Sequence, residues 1–301
     1  MNQRERAGKQ AAWISVVSNV MLTIMKLAVG YWFLSNALIA DGFHSAADVL
    51  ASVAVLFAMR ISNQPADEEH PYGHGKAEVV ASGIVAGILA VAALEIAVGS
   101  VKAFFETPHA PHWIAFAAAV FSWILKQVLY SYTMRLGKKY NSAGLVATAV
   151  DHKADVIASV FAFAGIGIAL AGNWLQMPSL YYADSVAAFI VALLIFKLAY
   201  ETGKEAVEVL MERTVEPDKV ESFARTILSV PYVKRLDRLR ARAHGHYILV
   251  DVRVAVPGTI TVQEGHDVAS AIRDRIKQEN PDVEEVLVHL NPWYREEASE
   301  S

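Results

Sequence analysis

Residues 40–52 read ADGFHSAADVLAS, inside an apolar run that extends over 38–60. Two properties of this stretch pull against each other. The run supplies the ~20 residues a helix needs to cross a ~30 Å hydrocarbon core. Yet it carries His44 and Asp48 four residues apart, with Asp41 one turn earlier. Residues at i and i+4 share one helix face, so His44 and Asp48 stack on the same side. Ionised groups in hydrocarbon are costly unless paired, hydrated or bound to metal. The stretch therefore reads as a membrane helix that turns two ligand-type side chains toward the interior of a bundle.

Working outward, five more apolar segments of similar length run over 11–33, 78–101, 112–134, 144–171 and 180–201. A soluble protein with buried helices is the bland alternative. Six such segments joined by short connectors argue against it, as do 54% hydrophobic and only 19% charged residues. Arg4, Arg6 and Lys9 precede the first segment, Arg60 and Lys76 flank the second connector, and Arg135, Lys138 and Lys139 occupy the fourth. The first and fifth connectors carry no Lys or Arg, and the third has only Lys102 at its edge. Basic and bare loops alternate, which predicts both termini in the cytoplasm of a cell-membrane protein. The N-terminal MNQRERAGKQAAW reads as a cytoplasmic lead-in (1–10), since no small-residue cleavage site follows a short apolar run.

Beyond about residue 203 charges become dense. Residues 217–229 fit a helix opened by proline, 233–243 and 246–256 alternate as two strands, 263–279 has helical periodicity, and 284–290 is a strand. The expected organisation is a six-helix transmembrane domain (11–202), a small α+β domain with helices on one side of a sheet (203–295) and a polar tail (296–301).

The fifth apolar segment contains DHKADVIAS at 151–159, in which Asp151 and Asp155 are again four apart. If the two faces meet, His44, Asp48, Asp151 and Asp155 form a set of one imidazole and three carboxylates. That set suits a divalent transition metal. Structural hydrogen bonding near the segment ends is the plain alternative, weakened because two helices carry the burden at matched spacing. His152 and Lys153 neighbour the pair but point away from this face, with a hydrogen-bonding or interhelical role expected for His152, and Asp41 is placed toward the outer mouth. Lys26, Glu95, Lys126, Gln127 and Asp184 also lie within spans. Lys26 and Glu95 are a conceivable pair, and Lys126 reads as a snorkelling lysine.

The second connector reads NQPADEEHPYGHGKAE (63–78) and holds Asp67, His70 and His74 within eight residues. They suit a loop metal site, against the alternative of a solvated acidic loop. In the C-terminal region, His266 and His289 are candidate ligands, with Asp237, Asp251 and Asn291 near in sequence. The chain has no cysteine, which excludes thiolate zinc and iron–sulfur sites. A near-balanced net charge of −4 argues against a nucleic-acid partner. No motif pairs a nucleophile with a base, so an enzyme is not expected.

HSAADVLAS (44–52), HPYGHGKAE (70–78) and DHKADVIAS (151–159), in that order, make the chain resemble the cation diffusion facilitator family of divalent-metal/proton antiporters. The resemblance implies a homodimer in a lipid bilayer, with six transmembrane helices and a cytoplasmic ferredoxin-like domain in each protomer. It implies a transport site at His44, Asp48, Asp151 and Asp155, and an interfacial loop site at Asp67, His70 and His74. It also implies a cytoplasmic-domain site near Asp237, Asp251, His266, His289 and Asn291. Lys76 is expected to pair across the dimer with Glu212. Zinc-transporting relatives carry Asp first in the second-helix pair and His first in the fifth, and this chain reverses that order. Manganese-exporting relatives often carry no histidine in this set and have Asp at both fifth-helix positions, so Asp151 looks manganese-like while His44 looks zinc-like. The implied function is alternating-access export of Zn2+, with Mn2+, Fe2+, Co2+ and Cd2+ as other cargoes and protons as counter-substrate. A manganese or iron(II) exporter, or a membrane metal sensor that transports nothing, are the alternatives.

Overall fold

The computed structural model describes residues 3–106, 110–139 and 143–293. The expected tail at 296–301 lies outside the described residues. Six long helices come first: α1 (Gln3–Trp32), α2 (Asn36–Ser62), α3 (Ala77–Lys102), α4 (Trp113–Lys139), α5 (Ala143–Leu175) and α6 (Tyr182–Leu210). All six are long and apolar enough to cross a membrane, with mean hydropathy between 1.5 and 2.3. The lead-in from Gln3 is continuous with α1, since no proline interrupts it.

The chain divides into two units. The first takes Met1–Val55 and Ser82–Gly203. Its interior is built largely from alanine. Ala40, Ala47, Ala93, Ala188 and Ala199 surround Val85, Leu89, Val191 and Ile195 from α2, α3 and α6. Ala37, Ala115, Ala119, Ala162 and Ala187 do the same around Leu38 and Ile166. Small side chains let helix backbones approach closely, and close packing is what holds helices together in an apolar solvent. Gly165 is the tightest such point: a Cβ there would lie 2.3 Å from the Ala187 Cβ. The large side chains face outward instead, as Ile84, Ile88, Val91 and Phe196 do.

Asp184 ties this unit together at one end. From α6 its carboxylate accepts hydrogen bonds from the Ser35 hydroxyl (2.7 Å) and the Asn36 backbone N–H (2.6 Å). It thereby caps the positive end of α2, whose first N–H groups have no partner within the helix. This buried acid in a span thus has a structural role.

The second unit takes Leu56–Ala81 and Lys204–Ser301. The second connector therefore clusters with the C-terminal domain. That domain consists of α7 (Pro217–Leu228), β1 (Arg235–His244), β2 (Tyr247–Pro257), α8 (Val262–Glu279) and β3 (Val283–Trp293). These are the five elements expected, in the expected order. Pro217 opens α7 where a missing N–H does no harm. Thr261 and Glu264 form a capping box at the start of α8. The sheet order is β1-β2-β3, antiparallel then parallel, with α8 as the crossover. Ile248, Val250, Val252, Val254 and Val256 alternate along β2 onto Phe223, Ile227, Ile272 and Ile276 of the two helices. Helices therefore cover one sheet face, in a ferredoxin-like α+β domain.

Candidate metal-transport site

Helices α2 and α5 bring the expected residues to one cavity of about 310 Å³, lined by His44, Asp48, Asp151 and Asp155 together with Leu194, Lys197, Leu198 and Glu201 of α6. Asp155 is its deepest acid, and the Asp155 Oδ1 lies 3.5 Å from the His44 Nε2. Asp151, one turn away on α5, is exposed. The i, i+4 spacing thus puts both acids on one face at different depths. Two ligand-type atoms here are buried without a hydrogen bond, the His44 Nδ1 and the Asp48 Oδ2. Buried polar atoms are nearly always satisfied, so unsatisfied ones call for an explanation, and ligand binding is one.

The second oxygen of Asp155 is occupied. The Lys126 ammonium, on α4, donates to the Asp155 Oδ2 at 2.5 Å and to the Asn19 Oδ1 at 2.8 Å, and lies 3.8 Å from the Asp48 Oδ2. Lys126 is fully buried, which corrects the snorkelling expectation. A lysine stem is long enough to reach a membrane surface, but here two carboxylates inside the bundle hold its head. His152 makes the expected hydrogen bond, with its Nε2 3.0 Å from the Ser15 hydroxyl, while its Nδ1 sits 3.7 Å from the Asp155 Oδ2.

A second buried lysine corrects two further expectations. The Lys26 ammonium is 2.8 Å from the Asp41 Oδ2 and donates to the Ser45 hydroxyl at 2.9 Å. Ser159 donates to both Asp41 oxygens. Asp41 is therefore a fully buried partner of Lys26, not a residue of an outer mouth, and Glu95 stands exposed elsewhere. Sequence separation hides both lysine pairs, because each joins different helices.

In the second connector, Asp67, His70 and His74 converge. The Asp67 Oδ1 is 3.4 Å from the His70 Nδ1, and the Asp67 Oδ2 is 3.4 Å from the His74 Nε2. Among the described residues this is the group of three donors that all lie within 4.8 Å of one another. The His70 backbone N–H holds the Asp67 carboxyl below its ordinary pKa, and the His74 and His70 rings add to this against a smaller effect of burial. Asp67 is thus an anion at neutral pH. Replacing His70 or His74 by Ala is expected to lower the transport rate several-fold without abolishing it, measured as initial ion flux in proteoliposomes.

Lys76 bonds Glu212 within one chain, whereas the family resemblance places that pair across two protomers. Glu212 also meets Arg242 at 2.6 Å, and Arg242 meets Asp251 at 2.9 Å. Burial pushes the Glu212 carboxyl up, but the hydrogen bond and charge of Lys76 and the charge of Arg242 outweigh it and hold it below its ordinary value. A depressed carboxyl pKa contributes stability that is present above the unfolded-state value and lost as pH falls through the folded-state value. Thermal stability of the full chain should therefore decline below about pH 4, and Glu212→Gln should flatten that decline.

The structure divides the five C-terminal candidates. His289 and Asp251 line a cavity of about 270 Å³ on the sheet face away from the helices, among Arg238, Arg240 and Arg253. Asp251 is engaged by Arg242, and Asp237 by Asn291 (2.7 Å) and Arg235 (2.7 Å). His266 is exposed on α8, which covers the opposite face. Three arginines beside His289 oppose a cation there. Alternation along the strands could place these residues on faces, but their partners depended on the strand register.

Two family models match this chain: the cation efflux transmembrane domain over residues 12–211, and the cytoplasmic domain of cation efflux proteins, a dimerisation domain, over 215–293. The chain belongs to the cation diffusion facilitator family, whose members move metal cations across membranes. It is 44% identical over 295 residues to the manganese efflux system protein MneP of Bacillus subtilis, covering 98% of this chain and 99% of that one. It is 36% identical to the manganese efflux system protein MneS of the same organism, covering 95% and 96%. Among solved structures, the nickel form of a MamM CTD variant covers 26% of this chain and 100% of that one, at 20% identity and a TM-score of 0.26.

Proposed function

We propose that this chain exports manganese(II) from the cytoplasm in exchange for protons, as a homodimer with both termini cytoplasmic. The observation that carries the transport site is the single cavity shared by His44, Asp48, Asp151 and Asp155, with unsatisfied ligand atoms on His44 and Asp48. Zinc is the cargo that His44 favours when read from the residues. Manganese is better supported, because both relatives above are named for manganese efflux and resemble this chain along nearly its full length. The donor chemistry agrees, since three carboxylates against one imidazole suit a harder ion.

Exchange follows from charge. Carboxylates crowded into a low-dielectric site cannot all stay ionised when the cargo leaves, so protons replace it and are expelled when metal returns. The second and fifth membrane helices carry the ligands, so a relative shift of α2 and α5 would open the site to either side in turn. Asp67, His70 and His74 gather metal outside the spans.

The test is metal competition in proteoliposomes, manganese against zinc, iron(II), cobalt and cadmium, with internal pH recorded. Manganese should compete most strongly, and each uptake event should move protons the opposite way. Saturable zinc flux with no manganese flux would overturn the cargo, and manganese flux with no pH change would overturn the exchange.

A further inference from the structure

Lys126 supplies no ligand to the cargo, yet it touches the centre of the site. Its ammonium is fully buried on α4 and holds the Asp155 Oδ2 at 2.5 Å. The same nitrogen lies 3.8 Å from the Asp48 Oδ2, a buried oxygen that makes no hydrogen bond. Asp48 and Asp155 belong to different helices, and Lys126 comes from a third. One tethered cation thus stands against a carboxylate from each half of the ligand set. A metal ion coordinating both acids must approach the same oxygens, within a few ångströms of that charge.

We propose that Lys126 is an internal competitor for the cargo and reserves the site for divalent ions; this rests on the transport-site reading above. An ion of single charge that displaces the ammonium from Asp48 and Asp155 gains no Coulomb energy by the exchange and must also shed its water. A divalent ion gains twice the attraction to the same oxygens, and in a buried site that difference is large. Sodium and potassium are therefore excluded by charge before ligand geometry matters. The ammonium has somewhere to go, since it already donates to the Asn19 Oδ1 at 2.8 Å. When the cargo leaves, the ammonium returns to the carboxylates, which limits how tightly any ion is retained and so favours release. The other buried lysine serves as contrast: Lys26 is paired with Asp41, Ser45 and Ser159, none of them a residue of the ligand set, whereas Lys126 is paired with two that are.

The experiment measures manganese(II) binding to the full-length protein in nanodiscs, read from loss of the free-ion EPR signal, with His70→Ala/His74→Ala in every sample, wild type included, so that the loop takes up no ion. Lys126→Met removes the charge at nearly the same length. It should bind manganese at least about tenfold more tightly at low salt. The gain should vanish in about 0.3 M sodium or potassium chloride yet persist in choline chloride of equal ionic strength, which separates competition from screening. Wild type and Lys126→Arg should bind alike in all three salts. A folded Lys126→Met protein that binds no more tightly, or is as indifferent to sodium as wild type, overturns the proposal. Should that variant not fold, Asn19→Leu carries the test. It removes the alternative acceptor and should weaken manganese binding about tenfold, and unchanged affinity overturns the proposal. Asp155→Asn in the same assay separates the two levels: binding that survives it sinks the transport site itself, whereas its loss beside an unaltered Lys126→Met sinks only the competitor.

Discussion

Asp155→Asn should lower the initial rate of manganese transport in proteoliposomes by at least about 100-fold while leaving the protein folded, as expected for loss of a primary metal ligand. Asp155 sits among His44, Lys126 and His152. Its Oδ1 faces the His44 Nε2, and its Oδ2 accepts from Lys126 and lies 3.7 Å from the His152 Nδ1. Asparagine keeps the shape and one oxygen that can accept from Lys126, so the buried ammonium retains Asn19, Asp48 and that oxygen. What asparagine loses is the charge that draws a divalent ion. Asp184→Asn is the matched control, a buried acid on α6 that caps α2 and does not line the cavity. It should reduce thermal stability and leave the flux of the folded fraction near wild type. Equal flux from Asp155→Asn and wild type would remove Asp155 from the site.

The contrast between these acids shows what could be read from the chain. Spacing along one helix was legible. His44 with Asp48, and Asp151 with Asp155, are i, i+4 pairs, and the structure lines one cavity with all four. The C-terminal elements were legible too, because alternation in 246–256 and helical periodicity in 263–279 are local patterns, and β2 and α8 form close to those bounds. Contacts between helices were not. Lys126 and Asp155 are 29 residues apart on neighbouring helices, and nothing local told a buried lysine from one that snorkels. One clue was available: the spans contain Lys26 and Lys126 as well as intramembrane acids, and buried charges of one sign require the other. That argument pairs the inventory without assigning the pairs, so Lys26 could be set against Glu95 when its partner is Asp41. Cargo was the least legible, because His44 and Asp151 point to different metals, and the excess of carboxylates leans toward a harder ion without excluding zinc.

Lys26→Met is expected to destabilise the protein by about 3–5 kcal/mol, the usual effect of removing one partner from a buried ion pair. Lys26 and Asp41 are both fully buried, and the ammonium is 2.8 Å from the carboxylate. Methionine fills most of the lysine volume, so little cavity forms. The damage comes from the carboxylate left behind. Asp41 would keep Ser159 as a hydrogen-bond donor but lose its counter-charge in a medium without water to replace it. Asp41→Asn alone strands the ammonium in the same way, although Ser45 and Ser159 remain as acceptors, so its effect should be smaller. The double variant Lys26→Met/Asp41→Asn removes both charges and should recover most of the loss, since a buried pair contributes little net stability over a neutral replacement. Thermal unfolding in detergent, followed by intrinsic fluorescence, reads all three. A double variant no more stable than Lys26→Met would show that the lysine acts through something other than this carboxylate. Transport by the folded double variant should stay near wild type, because neither residue lines the cavity. If transport is lost while stability is recovered, the Lys26–Asp41 pair belongs to the conduction path after all.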